Sequence, residues 1–225
     1  MPVDNTEPLS VYRAGPGYDN CLADMALRAA RGHRKRGLLD HLLGLDPHRT
    51  QRVLALLARD PRQHAGRYEH TFVALVDGVC SGTATARTDL PGGYQPLSPD
   101  ALADAFARRG LTEVQARAAL DRQADYLRLL PLAGEPFGPD TWRVQYVAAR
   151  PENRAGGVAR GLLRRVEAEA RSAGIARLGA VCQTGNVRAL RLFAAMGYEA
   201  ERERAYPPEL AHLGEGIVVL VKRLD

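Results

Sequence analysis

Apolar and polar residues alternate through Leu9-Ser10-Val11-Tyr12-Arg13 and stop at Ala14-Gly15-Pro16-Gly17, a pattern that predicts a short strand followed by a breaker. From Asp19 the spacing turns helical. Leu22, Met25, Ala26 and Ala29 share a face, and Leu38, Leu39, Leu42 and Leu43 continue it beyond Gly37. Asp46-Pro47 opens a further helix that carries Val53, Leu54, Leu56 and Leu57 as far as Asp60-Pro61. At Thr71 the period changes again, and the runs Phe72 to Val76 and Val79 to Ala86 flank Asp77-Gly78, a hairpin signature. Ser98-Pro99, with Leu102 and Phe106 a turn apart, and Thr112-Glu113-Val114-Gln115, which has the form of a capping box, predict two helices before Pro131. Trp142 to Ala149 is strand-like, and Val158, Leu162, Leu163, Val166 and Ala170 mark an amphipathic helix stopped at Gly174. Ile175 to Cys182, Asn186 to Met196 and Gly216 to Leu224 then predict a strand, a helix and a terminal strand.

Without repeats or a convincing linker, this order is simplest as one α/β domain over residues 1–225, with a helical insertion at about 90–140 between the third and fourth strands. A hydrophobic content of 45% against 25% charged residues suits a folded core and excludes a disordered chain. No apolar run is long enough for a membrane span, and Met1-Pro2-Val3-Asp4-Asn5 lacks the basic-then-apolar opening of a signal peptide, so no membrane partner and a cytoplasmic setting are expected. Cys21, Cys80 and Cys182 fit neither a disulfide framework nor a metal clamp and are expected to be free thiols. The six histidines show no ligand spacing, so no metal is expected. A net charge of +5 permits an anionic partner. The basic run Arg31-Gly32-His33-Arg34-Lys35-Arg36 has no interleaved aromatics, however, and reads as a solvated helix end rather than a specific nucleic-acid site.

Chemistry concentrates at Arg150-Pro151-Glu152-Asn153-Arg154-Ala155-Gly156-Gly157-Val158-Ala159-Arg160-Gly161, where a strand hands over to a helix. A glycine-rich turn lets backbone N–H groups close on an anion, and the helix N-terminus adds a favourable dipole. The turn is neither a Walker loop nor a dinucleotide fingerprint. Arg154, Gly157 and Ala159 do fit the Arg/Gln-x-x-Gly-x-Gly/Ala signature of the GNAT N-acetyltransferase superfamily. Asn186-Val187-Arg188-Ala189-Leu190-Arg191-Leu192-Phe193-Ala194-Ala195-Met196-Gly197-Tyr198 resembles that family's Asn-x-x-Ala-x-x-Leu-Tyr-x-x-x-Gly-Phe segment.

The resemblance implies a single domain whose mixed central sheet is flanked by helices, and an acyl-CoA co-substrate, most simply acetyl-CoA. It would set the pyrophosphate on the amides of Arg154, Ala155, Gly156, Gly157, Val158, Ala159 and Arg160. The pantetheine would run along Val147, Ala148 and Ala149, with Asn186 at the cofactor arm, Phe193 near the thioester sulfur, and a backbone N–H near Ala149 steadying the oxyanion. A small or medium-sized primary amine would be the acceptor; the oligomeric state stays open, a homodimer included. Two positions depart from the family's pattern: Phe193 stands where a tyrosine acid is usual, and Gln145 where an acidic base is often found. Tyr146 and Cys182 are the candidate catalytic substitutes, with His70 as a possible base. Because neighbouring strand residues face opposite sides, only one of Gln145 and Tyr146 is expected in the cleft. The alternative is a non-catalytic acyl-CoA-binding module. The helical insertion is expected to wall the acceptor side, with Leu102 or Phe106 facing the cleft.

Overall fold

In the computed structural model, which describes residues 9–153 and 156–224, everything hangs on one seven-stranded sheet. In chain order its strands are β1 (Ser10–Arg13), β2 (Thr71–Val76), β3 (Val79–Thr88), β4 (Thr141–Ala149), β5 (Arg177–Gln183), β6 (Glu199–Ala205) and β7 (Gly216–Arg223). They lie side by side as β1-β2-β3-β4-β5-β7-β6, antiparallel throughout except for β4 with β5. Helices α1 (Asp19–Arg31), α2 (Leu38–Leu43) and α3 (Pro47–Leu57) precede β2, while α4 (Pro99–Ala107), α5 (Glu113–Leu129) and the single turn α6 (Pro131–Gly134) join β3 to β4. Helix α7 (Val158–Ser172) links β4 to β5, and α8 (Val187–Ala195) links β5 to β6. This is the expected mixed sheet flanked by helices, with the helical excursion between the third and fourth strands.

Local chemistry accounts for the boundaries. Asp77 and Gly78 both take positive φ (52° and 70°), the backbone of a two-residue hairpin turn matched to strand twist. Asp46 accepts the Arg49 N–H at 2.9 Å ahead of Pro47. At the start of α5, Thr112 accepts the Gln115 N–H at 3.3 Å while the Gln115 side chain accepts the Thr112 N–H at 2.9 Å, closing the capping box. β6 was not foreseen. Its sequence, Glu-Ala-Glu-Arg-Glu-Arg-Ala, is exposed along its whole length as an edge strand, so it carries no apolar alternation to signal it.

The two faces of the sheet bury separate cores. Under α7 and α8 lie Phe72, Ala84, Ala86, Val144, Leu162, Val166, Leu178, Cys182, Phe193 and Leu220. The opposite face is covered by α1–α6, with Leu39, Leu42, Val53, Leu97, Leu102, Phe106 and Tyr126 at its centre. Among the described residues no helix is long and apolar enough to cross a membrane.

The expectation of three free thiols is corrected. Cys21 of α1 and Cys80 of β3 form a disulfide, which leaves Cys182 as the free cysteine, and it is buried. Sequence spacing gave no sign of the bridge because its halves lie 59 residues apart and meet only when α1 packs on the sheet. Closing a loop of that size is worth roughly 4 kcal/mol in the chain-entropy treatment. Reduction, or the pair Cys21→Ser and Cys80→Ser, is therefore expected to lower the melting temperature by about 10 °C for a chain of this size. An unchanged melting temperature under reductant in a scanning-calorimetry comparison would show that the bridge contributes nothing.

Candidate acetyl-transfer site

The site begins where two strands part. β4 and β5 pair in register from Thr141 with Arg177 to Val144 with Ala180, and then the pairing ends although both strands continue. The cause lies in β4, which carries one extra residue against β3: Thr85 faces Gln145 but Thr83 faces Ala148. Tyr146 absorbs this bulge with φ of 51°, a conformation costly for a bulky residue. Its carbonyl accepts the Thr83 hydroxyl at 3.2 Å. Val144 and Val147, three residues apart, both belong to the core under α7. Gln145 and Tyr146 between them both line the same chamber, so the expectation that only one could do so is corrected: strict alternation fails at a bulge. Beyond the bulge the Arg150 N–H bonds the Ser81 carbonyl at 2.8 Å. Antiparallel alternation then turns the Ala149 N–H and C=O away from β3, toward the gap left by β5.

That gap opens into a cleft of about 570 Å³ lined by Val147, Ala148, Ala149, Gly157, Ala159 and Arg160 on one side and by Asn186, Arg188, Ala189 and Leu192 on the other. Arg28, Ala29, Gly32 and His33 from the end of α1 complete it. Gly157 is the N-cap of α7 and sits at φ 73° with open space around it, a backbone that L side chains rarely adopt. The N–H groups of Val158, Ala159 and Arg160, in the first turn of α7, lack helical carbonyl partners of their own, which leaves donors for an anion. Val158 itself is buried in the core, whereas Gly156 is exposed at the turn. Arg154 and Ala155 lie outside the described residues. The basic rim and the donor-rich helix start suit an anion such as a pyrophosphate, which Gly157, Ala159, Arg160 and Arg188 could hold.

A second, deeper chamber of about 150 Å³ adjoins the cleft and shares Ala29, Val147, Asn186 and Ala189 with it. Asn186 thus stands at the junction, where its side chain also caps α8 by accepting the Ala189 N–H at 3.3 Å. Tyr94, Tyr126, Tyr146 and Tyr206 line the chamber, with Gln145, Gln183, Arg143, Cys182 and Phe193. The Tyr94 and Tyr146 hydroxyls share a hydrogen bond of 3.0 Å. Burial, the leading cause in each case, pushes all four phenols above their ordinary range, so they keep their protons at neutral pH. The Gln145 side chain has neither its oxygen nor its nitrogen partnered within the protein, although both atoms are buried.

The other sequence candidates divide. Phe193 packs edge-to-face on Tyr198, with ring centroids 4.9 Å apart, and reaches the chamber wall. Burial pushes the Cys182 thiol up to about 11, so the sulfur in this wall is the neutral thiol, a poor nucleophile. His70 lines neither the cleft nor the chamber, and burial with neighbouring arginines pulls it down to about 4. Leu102 and Phe106 were expected at the cleft but are fully buried in the core; the insertion instead offers Tyr94, Tyr126 and Ala133 to the chamber. Sequence reading missed those tyrosines, Tyr206 and Arg143. Isolated tyrosines far apart in the chain carry no spacing signal, and only the fold collects them. Among the described residues no three His, Cys, Asp or Glu side chains gather as metal ligands would.

A sequence profile of the acetyltransferase (GNAT) family matches residues 42–198. No curated protein sequence matches the chain. The fold is similar to a solved acetyltransferase at 18% identity and a TM-score of 0.64, covering 96% of this chain and all of that one. It is also similar to an N-acetyltransferase from Staphylococcus aureus Mu50 at 15% identity and 0.62, covering 94% and 99%. An N-acetylglutamate synthase from Neisseria gonorrhoeae, solved with coenzyme A and N-acetyl-glutamate, matches at 17% identity and 0.51, covering 97% of this chain and 36% of that one. At these identities the likeness is one of fold. The profile, however, spans well over half of the chain and takes in β4, α7 and α8, the elements that build the cleft, and the chain belongs to the GNAT family of N-acetyltransferases, enzymes that draw their acetyl group from acetyl-CoA.

Proposed function

We propose that this protein transfers the acetyl group of acetyl-CoA to the primary amine of a small or medium-sized molecule by direct attack in a ternary complex. The observation that carries this reading is the junction of two cavities at the parted strands. The cleft with the α7 N-terminus suits an anionic cofactor, and the tyrosine chamber meets it at Val147 and Asn186. Acetyl-CoA would supply an activated thioester at that junction. The Ala149 N–H, free of β3, would donate to the carbonyl oxygen as negative charge builds there. Gln145, whose amide is unpartnered, and the Tyr94–Tyr146 pair would hold the amine in line, a positioning effect that operates without a carboxylate base. As the new C–N bond forms and the C–S bond breaks, the amine gives up a proton and the departing sulfur must gain one. Tyr146 keeps its hydroxyl proton at neutral pH and is our candidate donor. The neutral Cys182 thiol favours this direct route over an acyl-cysteine intermediate. We read residues 1–225 as one acyltransferase domain, with the 90–140 segment supplying the acceptor wall through Tyr94 and Tyr126. The cytoplasmic setting expected from the sequence is opposed by the Cys21–Cys80 bridge, which reducing compartments keep open.

Coenzyme A is expected to raise the melting temperature by mass action, and Gly157→Leu to fold yet lose that shift, because a side chain at positive φ displaces the α7 N–H groups. Full retention of cofactor affinity by a folded Gly157→Leu protein would move the cradle elsewhere. Phe193→Tyr is expected to fold and to leave turnover within about tenfold of wild type, or to raise it, since one hydroxyl supplies a modest general-acid contribution. Continuous detection of the released thiol measures this, and a collapse in stability would instead assign Phe193 to packing alone. The whole reading is tested by mass spectrometry of products after acetyl-CoA is offered with a broad amine library. Cofactor binding without any acetylated product would favour the non-catalytic module.

A further inference from the structure

A buried charge is costly unless a counter-charge accompanies it. Four charged residues are buried among the described residues, Asp19, Asp40, Arg87 and Arg143, and the Asp89 carboxylate is buried as well. Three are paired, Asp19 with Arg59, Asp40 with Arg31 at 2.7 Å, and Arg143 with Asp89 at 2.7 Å. Arg87 is 5% exposed and has no described carboxylate within ion-pairing distance. Its Nη1 donates to the Thr88 carbonyl at 3.1 Å, while Nε and Nη2 have no partner at all.

The position of this orphan cation is informative. Arg87 lies directly opposite Arg143 in the β3–β4 register. Ala84 and Ala86 enter the core under α7, so Arg87 is turned to the face that holds the chamber. Arg143 is part of the chamber wall, its guanidinium between the rings of Tyr94 at 4.9 Å and Phe137 at 4.6 Å. Asp89 is the one carboxylate at this spot and is already committed: one oxygen accepts from Arg143 Nε and the other accepts the Phe137 N–H at 3.1 Å. Two guanidiniums therefore share one carboxylate beside a chamber whose own lining includes no Asp or Glu. Its phenols and the Gln145 amide offer donors to whatever enters.

Resting on the acetyl-transfer reading, we infer that the acceptor is a compact amine that also carries a carboxylate, and that this carboxylate, bound on the Arg143 side of the chamber, supplies the negative charge that Arg87 and Arg143 together lack. Arg87 is not in the chamber wall and acts as a positioning charge behind Arg143. A single uncompensated charge suits a monoanion. A chamber of about 150 Å³, roughly what a benzene ring occupies in a dry protein cavity, limits the body of the acceptor.

The test compares matched acceptors with one body: an amino acid, its carboxamide and the corresponding decarboxylated amine. Each is assayed for kcat and KM with acetyl-CoA and titrated calorimetrically in the presence of coenzyme A. The amino acid is expected to bind and to show a KM about tenfold or more below those of the other two, as a charge-assisted contact in a buried site allows. Arg87→Gln should abolish that preference, with kcat for the amino acid changed less than KM, and Arg87→Lys should restore it. The melting temperature of Arg87→Gln should hold or rise, because an uncompensated charge has been removed, whereas a merely structural arginine would destabilise when lost. Equal affinity of wild-type protein for the amino acid and its carboxamide, or a preference that survives Arg87→Gln, overturns the inference. Should Arg87→Gln not fold, the wild-type comparison decides alone. Calorimetric binding of the amino acid without turnover would support the chamber while counting against acetyl transfer; turnover without carboxylate preference would do the reverse.

Discussion

The structure depends on the failure of β4 and β5 to remain paired. Parallel neighbours at the centre of a sheet normally keep their hydrogen bonds to the end, because an unpaired buried N–H or C=O is expensive. Here pairing stops after Val144 and Ala180, and five residues of β4 run on with one edge unoccupied. The cost is met in part by placing that edge at a cleft, where a ligand amide or carbonyl can take up the abandoned bonds as an added strand would. Cleft and sheet defect are therefore the same feature, and the helices on either side act as its walls. α7 brings its N-terminus to one end, α8 begins with Asn186 at the junction, and α1 closes the top with Ala29 and Gly32.

The polar interior follows from the same geometry. Tyr146, held at positive φ by the bulge, reaches Tyr94 across the chamber; Arg143, three residues before it, is clamped by Asp89, the Glu135 carbonyl at 2.6 Å and two aromatic rings. Such a network is costly when incomplete. It is incomplete at Gln145 and Arg87, which lie diagonally across the β3–β4 pair, while the apolar cores elsewhere are filled by residues such as Phe72, Leu39 and Leu162 with almost no exposure. Both of these residues lie on the chamber side of the central strands, where an incoming ligand can complete them.

Much of this organisation was written in local patterns. Asp77-Gly78 announced the hairpin, Thr112 with Gln115 announced the start of α5, and the glycine turn before Val158 announced the start of α7, because each rests on backbone chemistry within a few residues. What stayed hidden depends on distance or on a broken rule. The Cys21–Cys80 bridge and the four tyrosines are brought together by folding alone. β6 lacks hydrophobic alternation because it sits exposed at the edge. The burial of β3 on both faces was also silent: Thr83, Thr85 and Arg87 alternate with Ala84 and Ala86, and all five are buried in the fold. The side-chain directions of Gln145 and Tyr146 were misjudged because alternation assumes a strand without an insertion.

A bulge counts residues in whole steps. Were Tyr146 removed, Val144 and Val147 would stand two apart, the spacing of plain alternation, and Ala148 and Ala149 would keep their partners on β3; what would vanish is the bulge itself, and with it the local bend at which β4 parts from β5. No intermediate geometry exists between a strand with the bulge and one without it. The parting of the strands is thus a matter of how many residues β4 places between Gln145 and Ala148. α4–α6 obey no such whole-step rule and can lengthen, shorten or reshape their part of the chamber wall without disturbing the register of β4.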